Sequence, residues 1–185
     1  MHGYTVYWAK DTLVQARSLG MIGTPLTLVF GGHHYSHPDP VRSGLVAGDV
    51  LSPVTVRARR LHVLSSLAVE EVHPILDDDH AYRFADEHDL PVLGGCLVSA
   101  MLGRGTPLTA GEEVPEQIAT ALAFQSRRAK EPTPVKGVLP DGTWRHVNGI
   151  HGVHRLAPDS AEALRAAFPP PTGLPSAASV RRPGC

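Results

Sequence analysis

Three guanidinium groups crowd into four residues at Arg57-Ala58-Arg59-Arg60, between two stretches that alternate apolar and polar side chains. Guanidinium is permanently charged and forms paired hydrogen bonds with oxyanions, so such a tip is suited to phosphate. The competing explanation is a solvated hairpin end that resists aggregation, because basic clusters are common on surfaces. Two further cations, Lys10 and Arg17, fall on the first helical stretch, and Arg145 and Arg155 accompany His146, His151 and His154 near the other end of the chain. Trp8 and Trp144, the two tryptophans, are each placed where an indole could stack on a base or fill a core.

Histidine offers a second chemistry. His33, His34 and His37 lie in one loop, followed by Asp39, and three imidazoles with a water would satisfy a divalent metal such as zinc. The spacing matches no established site, and adjacent histidines diverge in extended chain, so a divalent metal is the minor expectation and no cofactor the major one. Residues 103–107 (Gly-Arg-Gly-Thr-Pro) lack the lysine that a phosphate-cradling loop requires and are read as a turn.

Length and composition limit what these residues can belong to. A chain of 185 residues suits one domain, here residues 1–168, with a proline-rich, disordered tail over 169–185. With 42% hydrophobic and 19% charged residues it is expected to be a soluble globule. The formal net charge of −1 argues against coating nucleic acid by bulk attraction, so any such contact must be local. Two cysteines make no disulfide framework, no apolar run approaches the ~20 residues of a membrane span, and the start lacks the pattern of a secretion signal. A cytoplasmic protein without a membrane partner is the expectation.

Periodicity assigns the elements. Residues 4–8 form a first strand, 11–19 a helix, 26–30 a second strand broken by Gly31-Gly32, and 54–57 with 61–64 a hairpin launched by the Gly48-Asp49 turn. Strand character continues over 67–72. Asp77-Asp78-Asp79 then opens a helix that reaches His88 with Ala81, Phe84, Ala85 and His88 inward. Residues 96–102 read as a buried strand or a single helical turn. Pro115 starts a helix that ends in Arg127, Arg128 and Lys130, residues 143–156 form a long strand interrupted by Gly149 and Gly152, and Asp159-Ser160-Ala161-Glu162 resembles a capping box for a last helix. The fold class is α+β, with one strongly bent sheet closing into a small barrel.

The order strand, helix, Gly48-Asp49 turn, hairpin and Val69-Glu70-Glu71-Val72 resembles the PUA-like superfamily in its ASCH and EVE branches, most clearly over the first 75 residues. That resemblance implies a pseudo-β-barrel with flanking short helices and a groove for RNA, DNA or a modified nucleoside. On that reading Arg57, Arg59 and Arg60 meet phosphates, Lys10 and Arg17 flank the pocket, Trp8 or Trp144 stacks on a base, and Arg145 adds basic surface toward the nucleic acid. Some ASCH relatives are hydrolases, nucleases or nucleoside amidohydrolases, with a glycine-x-lysine motif and a later arginine after the first helix. Here Ile22 and Thr27 stand at those places, so an enzyme would need a substitute set from Lys10, Thr24, Glu70 and Glu71. The chain is thus expected to be a nucleic-acid or modified-nucleoside binding module, with an ASCH-type hydrolase as the alternative and a protein-interaction or small-molecule sensor domain as a third reading.

Overall fold

The computed structural model describes residues 1–33, 38–126 and 131–171. β-branched and aromatic residues make the first strand, β1 (Gly3–Tyr7), and it is followed by α1 (Lys10–Ser18). Strands β2 (Leu28–Gly32), β3 (Val50–Arg57), β4 (Arg60–Val63) and β5 (Leu67–Pro74) precede α2 (Asp78–Glu87). Then come β6 (Leu97–Gly105), β7 (Glu112–Glu113), α3 (Glu116–Ala121), β8 (Ala123–Phe124), β9 (Thr133–Pro134), β10 (Val153–Arg155) and α4 (Pro158–Ala167).

Eight strands share one sheet in the path β10-β1-β3-β5-β6-β2, with β4 beside β3 and β7 beside β4, while β8 and β9 form a separate pair. Every ladder is antiparallel except β1 with β3. One edge of β3 changes partner along its length, pairing with β5 at Val50 and Leu51 and with β4 from Val54 to Arg57. Pro53, which has no N–H to donate, sits at the changeover. The architecture is therefore mixed α+β. The ladders leave the path open: among the described residues β2 and β10 do not pair, so the expected closed barrel is not formed by these pairings.

Alternation along β1 splits the core in two. Tyr4, Val6 and Trp8 join Leu51, Leu67 and Met101 under α1, whereas Tyr7 joins Val54, Leu61, Trp144 and Ile150 under α3 and α4. A third cluster seats Ala81, Phe84 and Ala85 of α2 on Leu28, Phe30 and Leu97, at the β2 end of the sheet. Asp77 caps α2 as its sequence position implies, accepting the His80 amide at 2.7 Å. His88, however, is exposed rather than inward.

Five sequence expectations are corrected by tertiary contacts. Gly31 and Gly32 belong to β2 instead of breaking it, because a Cβ on Gly31 would meet the Ser99 hydroxyl, Asp39 and Pro40, an approach that only glycine permits. Likewise Gly103 and Gly105 lie within β6, backed closely by the Ala68 and Leu26 carbonyls, and are no turn. The helix after Pro115 ends at Ala121, where Leu122 turns extended into β8; Arg127, Arg128 and Lys130 lie outside the described residues. Of residues 143–156 only β10 is strand, since Gly149 packs its Cα against the Lys136 carbonyl and residues 147–149 form a 3-10 turn. Finally, α4 begins at Pro158 with no side-chain cap, and the Ser160 hydroxyl faces the Ala123 amide at 2.9 Å instead of closing a capping box. Of the tail expected over 169–185, residues 172–185 lie outside the described residues.

Candidate functional site

The Gly48-Asp49 turn has a structural task that its sequence did not disclose. Gly48 takes φ +91°, a conformation that favours glycine, and presents the Asp49 carboxylate, 2% exposed, to two backbone donors. Asp49 Oδ1 accepts the His2 amide at 2.7 Å and Oδ2 accepts the Val46 amide at 3.2 Å. The Val50 amide in turn donates to the His2 carbonyl at 2.9 Å. A buried carboxylate thereby fixes the start of β1 against β3 and sets the position of His2.

The arginine-rich hairpin tip is tied into the fold. Ala58 and Arg59 have φ of 49° and 63°, so the two-residue loop bends in the left-handed sense that matches a hairpin's twist. Asn-Gly normally relieves the steric cost there; here neighbouring contacts hold the bend. The Trp144 amide donates to the Arg59 carbonyl at 2.7 Å, and Arg59 Nε donates back to the Trp144 carbonyl at 3.3 Å. Arg60 Nη1 donates to the Asp141 carbonyl at 2.6 Å and its Nε lies 3.7 Å from Glu113, while Arg57 Nη1 reaches the Ala110 carbonyl at 3.2 Å. The Thr143 hydroxyl and then its amide hold the Asp141 carboxyl below the ordinary carboxylate range, which marks a formed turn. These three cations brace a loop instead of standing free at a tip.

The other sequence candidates are dispersed. Trp8 and Trp144 are 2% and 1% exposed, each with a buried indole N–H that meets no acceptor among the described residues, so neither has a ring face open to a base. They are core residues, one in each of the two larger clusters. Lys10 and Arg17 are exposed at the two ends of α1, and Arg145 is exposed in the loop before β10. Thr24 bonds the Met21 carbonyl at 2.7 Å, Glu70 pairs with Arg104 at 2.6 Å and Glu71 with His73 at 2.8 Å. No hydrogen bond or ion pair among the described residues joins any of Lys10, Thr24, Glu70 and Glu71 to another of the four. His33 is exposed, and His34 and His37 lie outside the described residues. Among the described residues no three His, Cys, Asp or Glu side chains are grouped to hold a metal ion.

The cations that do converge lie along β10, at the end of the sheet opposite α2. Antiparallel pairing sets Arg155 beside Tyr4 and His154 beside Thr5, and a cavity of about 360 Å³ opens over this edge between Arg42, Phe124, Val153 and Arg155. A second cavity of about 360 Å³ continues past His2 to Glu162 and Arg165, and Gln125 and Arg155 line both. Half-buried Arg155 points Nη2 at the His2 ring, 3.0 Å from Nδ1 and 3.2 Å from Nε2, while its Nε is buried and meets no acceptor among the described residues. It forms no ion pair with a carboxylate there. Burial and then the Arg155 charge push the His2 imidazole below its ordinary pKa against the pull of Asp49, so near neutral pH the ring accepts from the guanidinium.

Aromatic surface accompanies the charge. His154 stacks on Phe124 with centroids 4.1 Å apart and planes 6° from parallel, and its Nε2 lies 2.9 Å from the His151 carbonyl, an acceptor, so Nε2 carries the proton. Burial lowers the His154 pKa and keeps the ring neutral, suited to stacking. The sequence marks Arg155 and His154 as a cation and an imidazole close together near the end of the chain, and carries no signal for Arg42, His2 or Phe124. The β1–β10 pairing brings the start of the chain to Arg155, and the bridge of Phe124 to Leu156 with the Gln125 amide on the Arg155 carbonyl at 2.9 Å brings in Phe124, so no spacing signal could have found them. Comparison with family models, with curated proteins and with solved structures finds no match.

Proposed function

We propose that this chain is a nucleic-acid or modified-nucleoside binding module of PUA-like type, and that its ligand groove runs along β10 instead of at the arginine-rich hairpin. The observation that carries the reading is Arg155: a half-buried guanidinium at the junction of two cavities, without a carboxylate partner among the described residues and with one N–H facing no acceptor. Leaving a buried donor unmet costs about 1–3 kcal/mol, a cost that an arriving oxyanion removes. Arg42, which makes no bond among the described residues, and Arg165 extend the cationic lining on either side. The Phe124–His154 pair supplies the flat surface that a base requires. The PUA-like part of the reading rests on the order of β1, α1, the Gly48-Asp49 turn and the β3–β4 hairpin, with β1 parallel to β3.

The test is a fluorescence-anisotropy titration of the intact chain with short single-stranded RNA, single-stranded DNA and a mononucleotide over a range of salt. Binding should weaken with salt, with a log–log slope of about −0.7 for each phosphate neutralised on a single strand. Arg155→Ala should weaken binding by tenfold or more, whereas Arg57→Ala should leave it within twofold. A salt-independent response, or an Arg155→Ala protein that binds like the parent, ends the proposal.

A further inference from the structure

A further cavity, of about 320 Å³, lies on a different part of the molecule and has the opposite chemistry. Its walls come from the end of β4, the chain between β6 and β7, and the end of α4, where Leu64, Pro107 and Phe168 supply apolar surface. Four hydroxyls line it, and the proton of each is committed inside the protein. Ser65 donates to the Thr106 carbonyl at 2.8 Å, which leaves the 3.1 Å contact between the two hydroxyls to the Thr106 proton. Thr109 donates to the Leu64 carbonyl at 3.2 Å, and Ser66 lies 3.3 Å from the Phe168 carbonyl and 3.3 Å from the Ser52 hydroxyl. The Thr106 oxygen already accepts the Ser66 amide at 3.0 Å, the Thr109 oxygen the Gly111 amide at 3.1 Å and the Ser65 oxygen the Thr106 hydroxyl, so each of the three retains one lone pair.

Among the described residues no lysine, arginine, histidine or side-chain amide lines this cavity, and two prolines remove backbone donors from its wall. Among the described lining residues the charged one is Glu112, which makes no ion pair with a described residue, whereas its neighbour Glu113 is taken by Arg60. We infer that this is a ligand site for a small organic cation, an ammonium group carried on an apolar body. The body fills the space against Leu64 and Phe168, and the ammonium donates to the hydroxyl oxygens and Glu112. A cavity of this size with apolar walls and few convergent polar groups is the ordinary form of a small-molecule site. The site is separate from the β10 groove and stands whether or not that groove takes a nucleotide.

The test follows backbone amide resonances of the intact chain during titration with cyclohexylammonium and, in parallel, with cyclohexanol, which matches its shape without its charge. Saturable shifts should centre on Ser65, Ser66, Thr106 and Thr109, with the amine binding at least fivefold more tightly than the alcohol. Glu112→Gln should abolish that preference while leaving the alcohol unchanged, and Arg155→Ala should alter neither. Equal affinity for amine and alcohol, amine shifts centred on the acidic residues of α2, or no saturable shift with either probe would each overturn the inference.

Discussion

Two sets of arginines occupy this molecule, and they are used in opposite ways. At the β3–β4 tip Arg57, Arg59 and Arg60 fall within four residues, and each donates to a backbone carbonyl of a neighbouring loop. Along β10, Arg42 and Arg155 come from distant parts of the chain and find no carbonyl or carboxylate among the described residues. Crowded cations are thus where the fold spent its donors on structure. The dispersed ones, which meet at one cavity, are where donor capacity is left for a ligand.

The most severe test of this contrast is to remove what the tip holds. Trp144→Ala, at a side chain 1% exposed, should lose about 3–5 kcal/mol of unfolding free energy in a urea titration, because it empties a cavity under the hairpin. Arg155→Ala should stay within about 1 kcal/mol of the parent, as a half-exposed cation with no carboxylate partner among the described residues carries little of the fold. Equal losses would erase the distinction. Next in size, Asp49→Ala strands the His2 and Val46 amides and should cost about 1–3 kcal/mol by the same measurement. Because Asp49 positions His2 at the groove, this variant should also weaken groove binding, which no tip variant should do.

Acid should affect the β10 side first. Burial lowers the pKa of His2, His151 and His154 in the folded chain, so the unfolded chain binds protons more readily. Their stabilising contribution is complete above the ordinary histidine pKa near 6.5 and is lost as pH falls below it. The urea midpoint should therefore drop between pH 7.5 and 5.5, and His154→Phe, which keeps a ring against Phe124, should flatten that drop. An unchanged slope in this variant would show that His154 is not responsible. The smallest effect is a gain: Ala58→Gly relieves a φ of +49° and should add about 0.5–1 kcal/mol while leaving ligand binding alone.

How far the sequence could be read depended on the range of the interactions that fix each feature. β1, α1, the β3–β4 hairpin and the capped start of α2 rest on alternation, helical spacing and a local carboxylate, and all were legible within a few residues. Residues 143–156 misled because alternation there records packing against residues 136–138 and the core, not a ladder. Trp8 and Trp144 could equally have stacked on a ligand; the helices that cover them decided the matter, and no local pattern encodes that cover. The groove was the least legible part, since its central contact joins His2 and Arg155 across 153 positions. Arg155 itself was visible, whereas its isolation from carboxylates was not.

The Asp49 carboxylate has a practical consequence. By anchoring the His2 amide it directs Met1 into the lining of the β10 groove, so anything joined ahead of Met1 emerges within that cavity. An affinity handle or fused partner attached there would compete with whatever the groove takes. Assays should therefore be run on protein purified without an amino-terminal fusion.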